Sequence, residues 1–338
     1  MQPATSTLFA ALPALLTASG TSNSQAFAQL TPEAYASATQ MGVDQTLSLT
    51  DVARGPGFAT TDREDVGLFT FAQGIAQWHT LGADRDAGTA KARSSGYGFL
   101  GGVGIGNRDW SVGAFAGYLD SRQRITALGA ATSTDGVVAG VHGRYAAGNI
   151  RIGASILYDG GDARTTRALP GASSTTGRYG LHSWATDLSV GYALAMANDW
   201  TLTPKVGVTY LRTTRDRVSE AGGPFALTVA RDRHVTGFAD AGVTFARSEA
   251  SDAAFRPYVG FGARTRIEGK RADAVAGYAG APLTLTALGA PRARVTGTAS
   301  AGVAYRLPSG VELFSTVEAQ TGQDDHRESI ATGVRLRF

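Results

Sequence analysis

The alternation of hydrophobic and polar residues changes near residue 66. From there to Phe338 the period is two, which is typical of β-strands with one apolar face. The stretch from Trp200 to Tyr210 shows this most clearly, because apolar side chains occupy its even positions and Thr, Lys or Gly its odd positions. Twelve such runs, each predicting a strand, lie near residues 66–81, 95–105, 110–121, 135–146, 150–163, 181–195, 200–217, 234–247, 255–270, 294–306, 311–320 and 329–338.

The connections between these runs alternate in length. Those after even-numbered runs are short, such as 106–109 and 147–149, whereas most of those after odd-numbered runs are long, such as 164–180 and 271–293. Short turns at one rim and longer loops at the other are typical of bacterial outer-membrane barrels. The sequence contains no apolar run long enough for a transmembrane helix. The pattern therefore predicts an all-β membrane protein, a 12-stranded antiparallel up-and-down transmembrane β-barrel over residues 57–338.

One helix is predicted ahead of the barrel, within residues 30–56. A Thr is suited to its N-cap, a Pro to its first turn and a Glu to the positive end of its dipole, and Gly55-Pro56-Gly57 ends it. Polar residues are interleaved along the segment, which favours a polar cavity over a hydrophobic core as its surroundings. The residues singled out along this helix are Thr31, Pro32, Glu33, Tyr35, Gln40, Asp44 and Arg54.

Residues 1–29 form a lead-in rich in small residues. An apolar stretch at 8–16 and the triplet Ala26-Phe27-Ala28 are arranged as in an export signal, but the positively charged start of such a signal is missing. Two interpretations stay open: a linker or passenger end belonging to a longer chain, which we favour, and a degenerate export signal.

Aromatic residues are placed near the ends of the predicted strands. Trp200 and Tyr210 lie ten residues apart on one face, a separation of roughly 25 Å along the barrel axis, which matches the apolar band of an outer-membrane barrel. The alternative is that such rings fill the core of a β-sandwich. The predicted aromatic girdle consists of Trp110, Tyr118, Trp184, Tyr192, Trp200 and Tyr210.

The amino-acid composition limits the kinds of site and partner that the protein can have. Glycine contributes 44 of 338 residues, against an average share of roughly 7%, and many glycines fall inside strands, where a missing side chain permits bending and leaves lumen space. The absence of Cys excludes disulfides, thiol chemistry and Cys-based metal sites. The formal net charge is only +3, and the basic residues are scattered along the chain rather than grouped. No nucleic-acid partner is therefore expected.

The sequence resembles the translocator (β-barrel) domain of monomeric autotransporters, the type V secretion family. The resemblance is carried by QLTPEAYAS at 29–37, the first-strand pattern at 73–79, RPYVGFGAR at 256–264, YAGAPLTLTALGAPRAR at 278–294 and GVRLRF at 333–338. It implies a barrel in the Gram-negative outer membrane that anchors and exports an N-terminal passenger, with the helix threading the pore.

The resemblance also implies partners for the helix and for the barrel. Polar groups of the helix would meet charged residues on the inner strand faces, although each of those residues could instead face lumen water. The final strand would be recognised by the barrel-assembly machinery through Val334, Leu336 and Phe338, and a monomer without cofactor or metal is expected. The expected lumen-facing residues are Arg144, Arg151, Asp187, Lys205, Arg264, Glu312, Glu318 and Arg335.

Two other functions are considered. An outer-membrane phospholipase or protease would need catalytic groups, but the sequence lacks a G-x-S-x-G or H-E-x-x-H motif, and Asp324-Asp325-His326 is interpreted as a solvated charged loop tip. A small porin or adhesin would need no helix ahead of its first strand. No catalytic residue is therefore assigned.

Overall fold

A computed structural model describes residues 12–59, 64–170, 173–248, 253–278 and 284–338; the start of the lead-in and part of the 278–294 stretch lie outside these ranges. Twelve long strands form the body of the protein. They are β1 (Gly67–Leu81), β2 (Ala92–Gly106), β3 (Trp110–Ile125), β4 (Ala130–Ala147), β5 (Ile150–Ala168), β6 (Ser174–Tyr192), β7 (Trp200–Arg215), β8 (Asp232–Arg247), β9 (Phe255–Glu268), β10 (Val295–Arg306), β11 (Val311–Gly322) and β12 (Asp325–Arg337).

The strands close into a barrel. Each pairs antiparallel with its neighbour in sequence, and β12 pairs with β1 from Phe69↔Arg337 to Leu81↔Asp325. Closure satisfies the backbone groups that an open sheet edge would leave unpaired in lipid. The predicted 12-stranded antiparallel barrel is confirmed.

Two α-helices precede the barrel: α1 (Ser24–Gln29) and α2 (Glu33–Ala53). Short 3₁₀ turns lie at Leu12–Leu15, Pro56–Phe58, Thr126–Leu128 and Ala197–Asp199. Within the described ranges, no helix combines the length and the apolarity that crossing a membrane as a helix requires.

Helix α2 lies inside the barrel, and every residue from Glu33 to Thr50 is buried. At its start, the Glu33 carboxylate accepts a hydrogen bond from the Ala90 backbone N–H in the β1–β2 loop. At its end, the Arg144 guanidinium donates to the Gly55 carbonyl near the opposite rim. The helix therefore runs the length of the lumen, from the rim of the long loops to the rim of the short turns.

The lumen is more apolar than the sequence suggested. Val43, Leu47 and Leu49 of α2 belong to a buried cluster with phenylalanines and leucines of the wall. Just after the helix, the Phe58 ring lies 4.5 Å from Phe71 and 5.0 Å from Phe115, measured between centroids. This half of α2 is packed as a core element rather than bathed in water, because its apolar residues meet inward-facing rings.

A second, four-stranded sheet covers the outer half of α2. Its strands are Val218–Ser219, Leu227–Val229, Asp273–Tyr278 and Thr284–Leu288. They lie in stretches that the sequence indicated only as loops, because each is short. Tyr35, Ala36 and Ala38 of the helix pack on this sheet, and an added Cβ at Gly289 would lie 2.9 Å from the Ala36 carbonyl carbon.

Three details of the sequence prediction are wrong. Thr31 is not the N-cap: its hydroxyl donates back to the Ala28 carbonyl, and Pro32 occupies the cap position without a side-chain cap. The long loop expected at 164–180 is short, because β5 and β6 continue pairing to Ala168↔Ser174 through polar residues. The lead-in also contains helix α1, whose Ala26 packs with Leu169 and Phe225.

Candidate functional site

The contact surface between α2 and the inner wall carries most of the buried charge. Near the inner end, the Arg54 side chain binds two carboxylates. Its Nη2 lies 2.7 Å from Asp187 Oδ1 and its Nη1 lies 3.0 Å from Asp240 Oδ1. The Thr209 hydroxyl donates to Asp187 at 2.7 Å. One helix cation is therefore fixed by acids on two different strands, β6 and β8.

One turn earlier, Asp51 presents the opposite charge. Arg264 Nη2 lies 2.6 Å from Asp51 Oδ1, and Arg327 also donates to this carboxylate. The Gln320 amide donates to it at 3.3 Å. These three partners lie on β9, β11 and β12, so Asp51 anchors this helix end to the part of the wall that adjoins the β6–β8 part bound by Arg54.

Asp44 forms a third charged contact in the middle of the helix. His79 Nδ1 lies 2.8 Å from Asp44 Oδ2, and His79 Nε2 lies 2.8 Å from Asp325 Oδ1. Arg292 donates to Asp44, and the Gln40 amide donates to it at 3.0 Å. A buried imidazole thus joins the helix carboxylate to one on the barrel wall.

At the outer mouth, a buried ion pair holds the chain where it enters the lumen. Arg167 Nε lies 2.6 Å from Glu220 Oε1, and the Tyr35 hydroxyl donates to the same oxygen at 2.7 Å. Arg167 also donates to the Gln29 carbonyl at 2.7 Å. Burial would raise the pKa of Glu220, but the pairing with Arg167 outweighs it and holds the pKa below its usual range.

Glu33 lies at the same mouth and has a different environment. Burial raises the pKa of its carboxyl to about 7, despite the hydrogen bond from the Ala90 backbone N–H and the more distant positive charge of Arg271. A carboxyl with this pKa is partly protonated near neutral pH, so its protonation is linked to the stability of the mouth.

Five of the wall residues expected to face the lumen lie around the helix or beside it. Asp187 and Arg264 bind the helix directly, as does Arg144 through the Gly55 carbonyl. Arg335 lies over the Phe69 ring, 4.5 Å from its centroid. Lys205 faces the lumen and lines a cavity.

The remaining wall residues contact other wall residues or solvent. Glu312 pairs with Arg337 on the neighbouring strand β12 and with Arg256 on β9, two strands away. Glu318 accepts from the Gln320 amide at 2.7 Å. The expectation for Arg151 is wrong: its side chain is exposed at the short-turn rim and donates to the Gly148 carbonyl, because the strand begins there and has no lumen beside it.

A cavity of about 280 Å³ remains between the end of α2 and the wall of β7 to β11. Arg54, Lys205, Arg264, Asp240 and Glu318 are among its lining residues. Its polar lining can hold water, so the helix fills the lumen incompletely at this end. Among the described residues, no three histidine or carboxylate side chains converge as a metal site would require.

The expected girdle residues lie on the outer surface. Tyr118, Trp184, Tyr192 and Tyr210 are exposed, whereas Trp110 and Trp200 are half-buried. Trp200 stacks on Phe245 with centroids 4.4 Å apart. At the end of the chain, Leu336 and Phe338 are exposed and Val334 is half-buried on this outer surface.

Several partners of the helix were missed by sequence reasoning. Asp240 and Arg327 stand at inward positions of strands, a signal that the alternation already contained. Arg292 lies in a long connection, where no periodicity indicates its direction. The interpretation of 324–326 as a solvated tip is wrong for Asp325, which is 1% exposed because its carboxylate binds His79 inside the barrel.

Replacing Arg54 with Ala should lower the free energy of unfolding by about 3 kcal/mol or more, because two buried carboxylates lose their cation. Urea titration of the folded barrel in micelles measures this. Arg108→Ala is the control, since Arg108 forms an exposed pair with Glu64 at 3.4 Å and should change stability by only about 1 kcal/mol or less. Equal effects of the two substitutions would contradict the assigned role of Arg54.

Replacing Glu33 with Gln should change the pH dependence of stability. The folded-state pKa of about 7 exceeds the ordinary glutamate value of 4.5, so the folded protein binds this proton more tightly than the unfolded chain does. The contribution of this proton to the free energy of unfolding is therefore complete below the unfolded pKa and decreases as the pH rises towards the folded pKa. Glu33→Gln should remove that decrease. Thermal midpoints of variant and wild type should agree below about pH 4.5, diverge between about pH 4.5 and 7, and differ by a constant amount at higher pH. A difference independent of pH would refute this.

Comparisons with known proteins agree with this architecture. The translocator domain of the autotransporter NalP from Neisseria meningitidis is 16% identical, with 90% of this chain and 98% of that chain covered and a TM-score of 0.71. The transport unit of AIDA-I from Escherichia coli is 15% identical, with 91% and 99% covered and a TM-score of 0.63. The β-domain of the Bordetella autotransporter BrkA is 18% identical, with 81% and 100% covered and a TM-score of 0.59.

At these identities the likenesses bear on the fold. No curated protein matches the sequence. The family model described as the autotransporter beta-domain matches residues 70–318, which include most of the barrel. The chain therefore belongs to the autotransporter β-domain family.

Proposed function

We propose that α2 is the end of an exported passenger and that it stays in the pore as a plug. An autotransporter β-domain is an outer-membrane barrel of Gram-negative bacteria with an export function, and its family implies an N-terminal passenger. After export α2 occupies the pore, and its ion pairs with the wall keep it there.

The observation that carries the proposal is the match of charges along α2. Asp44, Asp51 and Arg54 each meet an opposite charge of the wall within the lumen. A charged side chain buried without a partner costs several kcal/mol, so these residues are stable in a closed interior only with this wall around them. The charges of the wall are thus complementary to those of the helix at three positions along its length.

The direction of α2 supports the same function. Its first residue lies beside the β1–β2 loop at the rim of the long loops, and its last residue lies at the rim of the short turns. Long loops of outer-membrane barrels are on the cell exterior. A passenger attached ahead of α2 would therefore lie outside the cell, with its attachment point held by Arg167 and Glu220.

We further propose two partners and a monomeric state. Trp110, Tyr118, Trp184, Tyr192, Trp200 and Tyr210 would act as interfacial girdles in the lipid bilayer, where aromatic rings with polar edges are favoured. The barrel-assembly machinery would recognise the final strand through Val334, Leu336 and Phe338, since a free strand edge is a template for pairing. The closed barrel has no open edge after assembly, which supports a monomer.

We assign no catalytic role to this chain. The best candidate group, Asp44 with His79 and Asp325, supports a structural role because its members are each less than a tenth exposed and bind one another and Arg292. The cavity between this group and α2, which Met41, Asp44 and His79 line, has a volume of about 10 Å³, which is too small for a lipid or peptide substrate.

Single-channel conductance in planar bilayers tests the plug. Deleting residues 1–54 should raise conductance several-fold, because α2 vacates the lumen and leaves a channel. Deleting residues 1–23 is the matched control, since it retains α1 and α2 and should leave conductance low.

Both deletions are first checked for the heat-dependent gel shift of a folded barrel. Equal conductance of the full chain and the chain without residues 1–54 would refute the plug. It would favour a porin whose pore is not blocked by its N-terminal residues.

A further inference from the structure

We propose that the outer wall of the barrel carries a binding site for the phosphate groups of a phosphorylated glycolipid in the outer leaflet. The site, here called the arginine patch, consists of Arg93, Arg122 and Arg124 on β2 and β3. It goes beyond export and plugging, and it rests only on the orientation of the barrel given above.

The first observation is a pair of like charges in direct register. Arg93 pairs with Arg124 across β2 and β3. Both side chains are exposed, while their neighbours Ala92, Gln123 and Ile125 are buried in the lumen, so both arginines point away from the barrel. Directly opposed residues of this kind have Cβ atoms about 5 Å apart, and like charges there destabilise the sheet.

The second observation is that this repulsion is not relieved by the protein. Among the described residues, neither Arg93 nor Arg124 has a carboxylate within ion-pair distance, whereas Arg122 has only Asp120 at 3.9 Å. Asp120 lies one row closer to the membrane centre than Arg122, opposite Asp135. The outermost row therefore presents two unpaired guanidinium groups side by side, an arrangement that an external anion would stabilise.

The third observation is the position of the patch relative to the membrane. Trp78 lies in the same row as Arg122, and Tyr97 lies one row below; their rings are 6.1 Å apart and exposed on the outer wall. Below them the wall continues with exposed apolar residues such as Phe99. Aromatic rings of barrels mark the membrane interface, so the arginines lie at the level of the outer-leaflet headgroups.

The chemistry of the patch selects a phosphate on a lipid. A guanidinium binds phosphate oxygens in a bidentate manner, and two of them can bracket one tetrahedral group. The three arginines line a groove of about 780 Å³ on the barrel exterior together with Trp78, Tyr97 and His326, and with two carboxylates, Asp120 and Glu328. Because this groove borders the apolar wall, its ligand must carry acyl chains as well as negative charge.

A similar arrangement occurs further round the wall. Arg164 of β5 pairs directly with Arg178 of β6, and both side chains are exposed. The exposed ring of Trp184 follows on β6, closer to the membrane centre. Two opposed arginine pairs above aromatic residues indicate that the outer rim meets a layer of anionic groups rather than a single chance ligand.

The test uses the full chain refolded in detergent micelles and diphosphorylated lipid A as the probe. Arg93→Gln with Arg124→Gln should weaken lipid A binding about tenfold, since charge-assisted hydrogen bonds are lost. The matched control is Arg85→Gln with Arg108→Gln, which removes the same charge from a loop and from the opposite rim. This control should bind as the wild type does. Bound lipid is counted by native mass spectrometry.

Two further probes distinguish the sources of phosphate. Removing the phosphates from lipid A should weaken its binding to the wild type at least as much as the double substitution weakens binding of diphosphorylated lipid A. Inorganic phosphate at a concentration equal to that of lipid A should not displace it. The proposal would be overturned if the patch variant bound lipid A as the wild type does, or if the control lost as much binding as the patch variant. It would also be overturned if dephosphorylated lipid A bound tightly, or if inorganic phosphate displaced lipid A. Should the patch variant fail to fold, the two probes on the wild type still decide it.

Discussion

The charges of α2 impose the constraint on which the rest of the structure depends. A helix that carries Asp44, Asp51 and Arg54 into the interior of a membrane barrel must find an opposite charge for each, because an unpaired buried charge costs more than the packing of one side chain returns. The wall provides Asp187 and Asp240 for the arginine, and arginines or histidine for the two aspartates. These pairs fix both the depth and the rotation of the helix.

The barrel's dimensions follow from the same requirement. Twelve strands leave a lumen wide enough for one helix of about 10–12 Å diameter but too wide to be filled by wall side chains alone. Apolar contacts close the space that the ion pairs leave, notably around Leu47 and Phe58. The small outer sheet and Arg167 then cover the mouth. The helix is therefore as much a part of the core as the strands are, although it precedes them in the sequence.

The sequence predicted the structure best where a single physical requirement determines the residue type. In β7 each outward side chain must be tolerated by lipid, so alternation marks the strand from Trp200 onwards. The polar helix was also recognisable, and Asp187 and Arg264 were expected to face it. Prediction failed where tertiary contacts decide. Thr31 is a residue type that caps helices, but its hydroxyl is hydrogen-bonded to the Ala28 carbonyl. Arg292 binds Asp44 although it lies in a connection whose sequence has no periodicity. Asp325 lies next to a loop tip, but its side chain points into the barrel and binds His79.

The central claim is that α2 occupies the lumen in the position described, and a disulfide cross-link tests it most directly. A Cβ at Gly42 would lie 3.1 Å from the Thr213 Cγ2 atom, close enough for a disulfide, and the chain has no other cysteine. Gly42→Cys with Thr213→Cys should oxidise to a cross-linked product in the assembled barrel. Gly42→Cys with Thr214→Cys should not, because residue 214 points to the outer face. Failure of the first pair to cross-link in a folded barrel, or equal cross-linking of both pairs, would contradict the account.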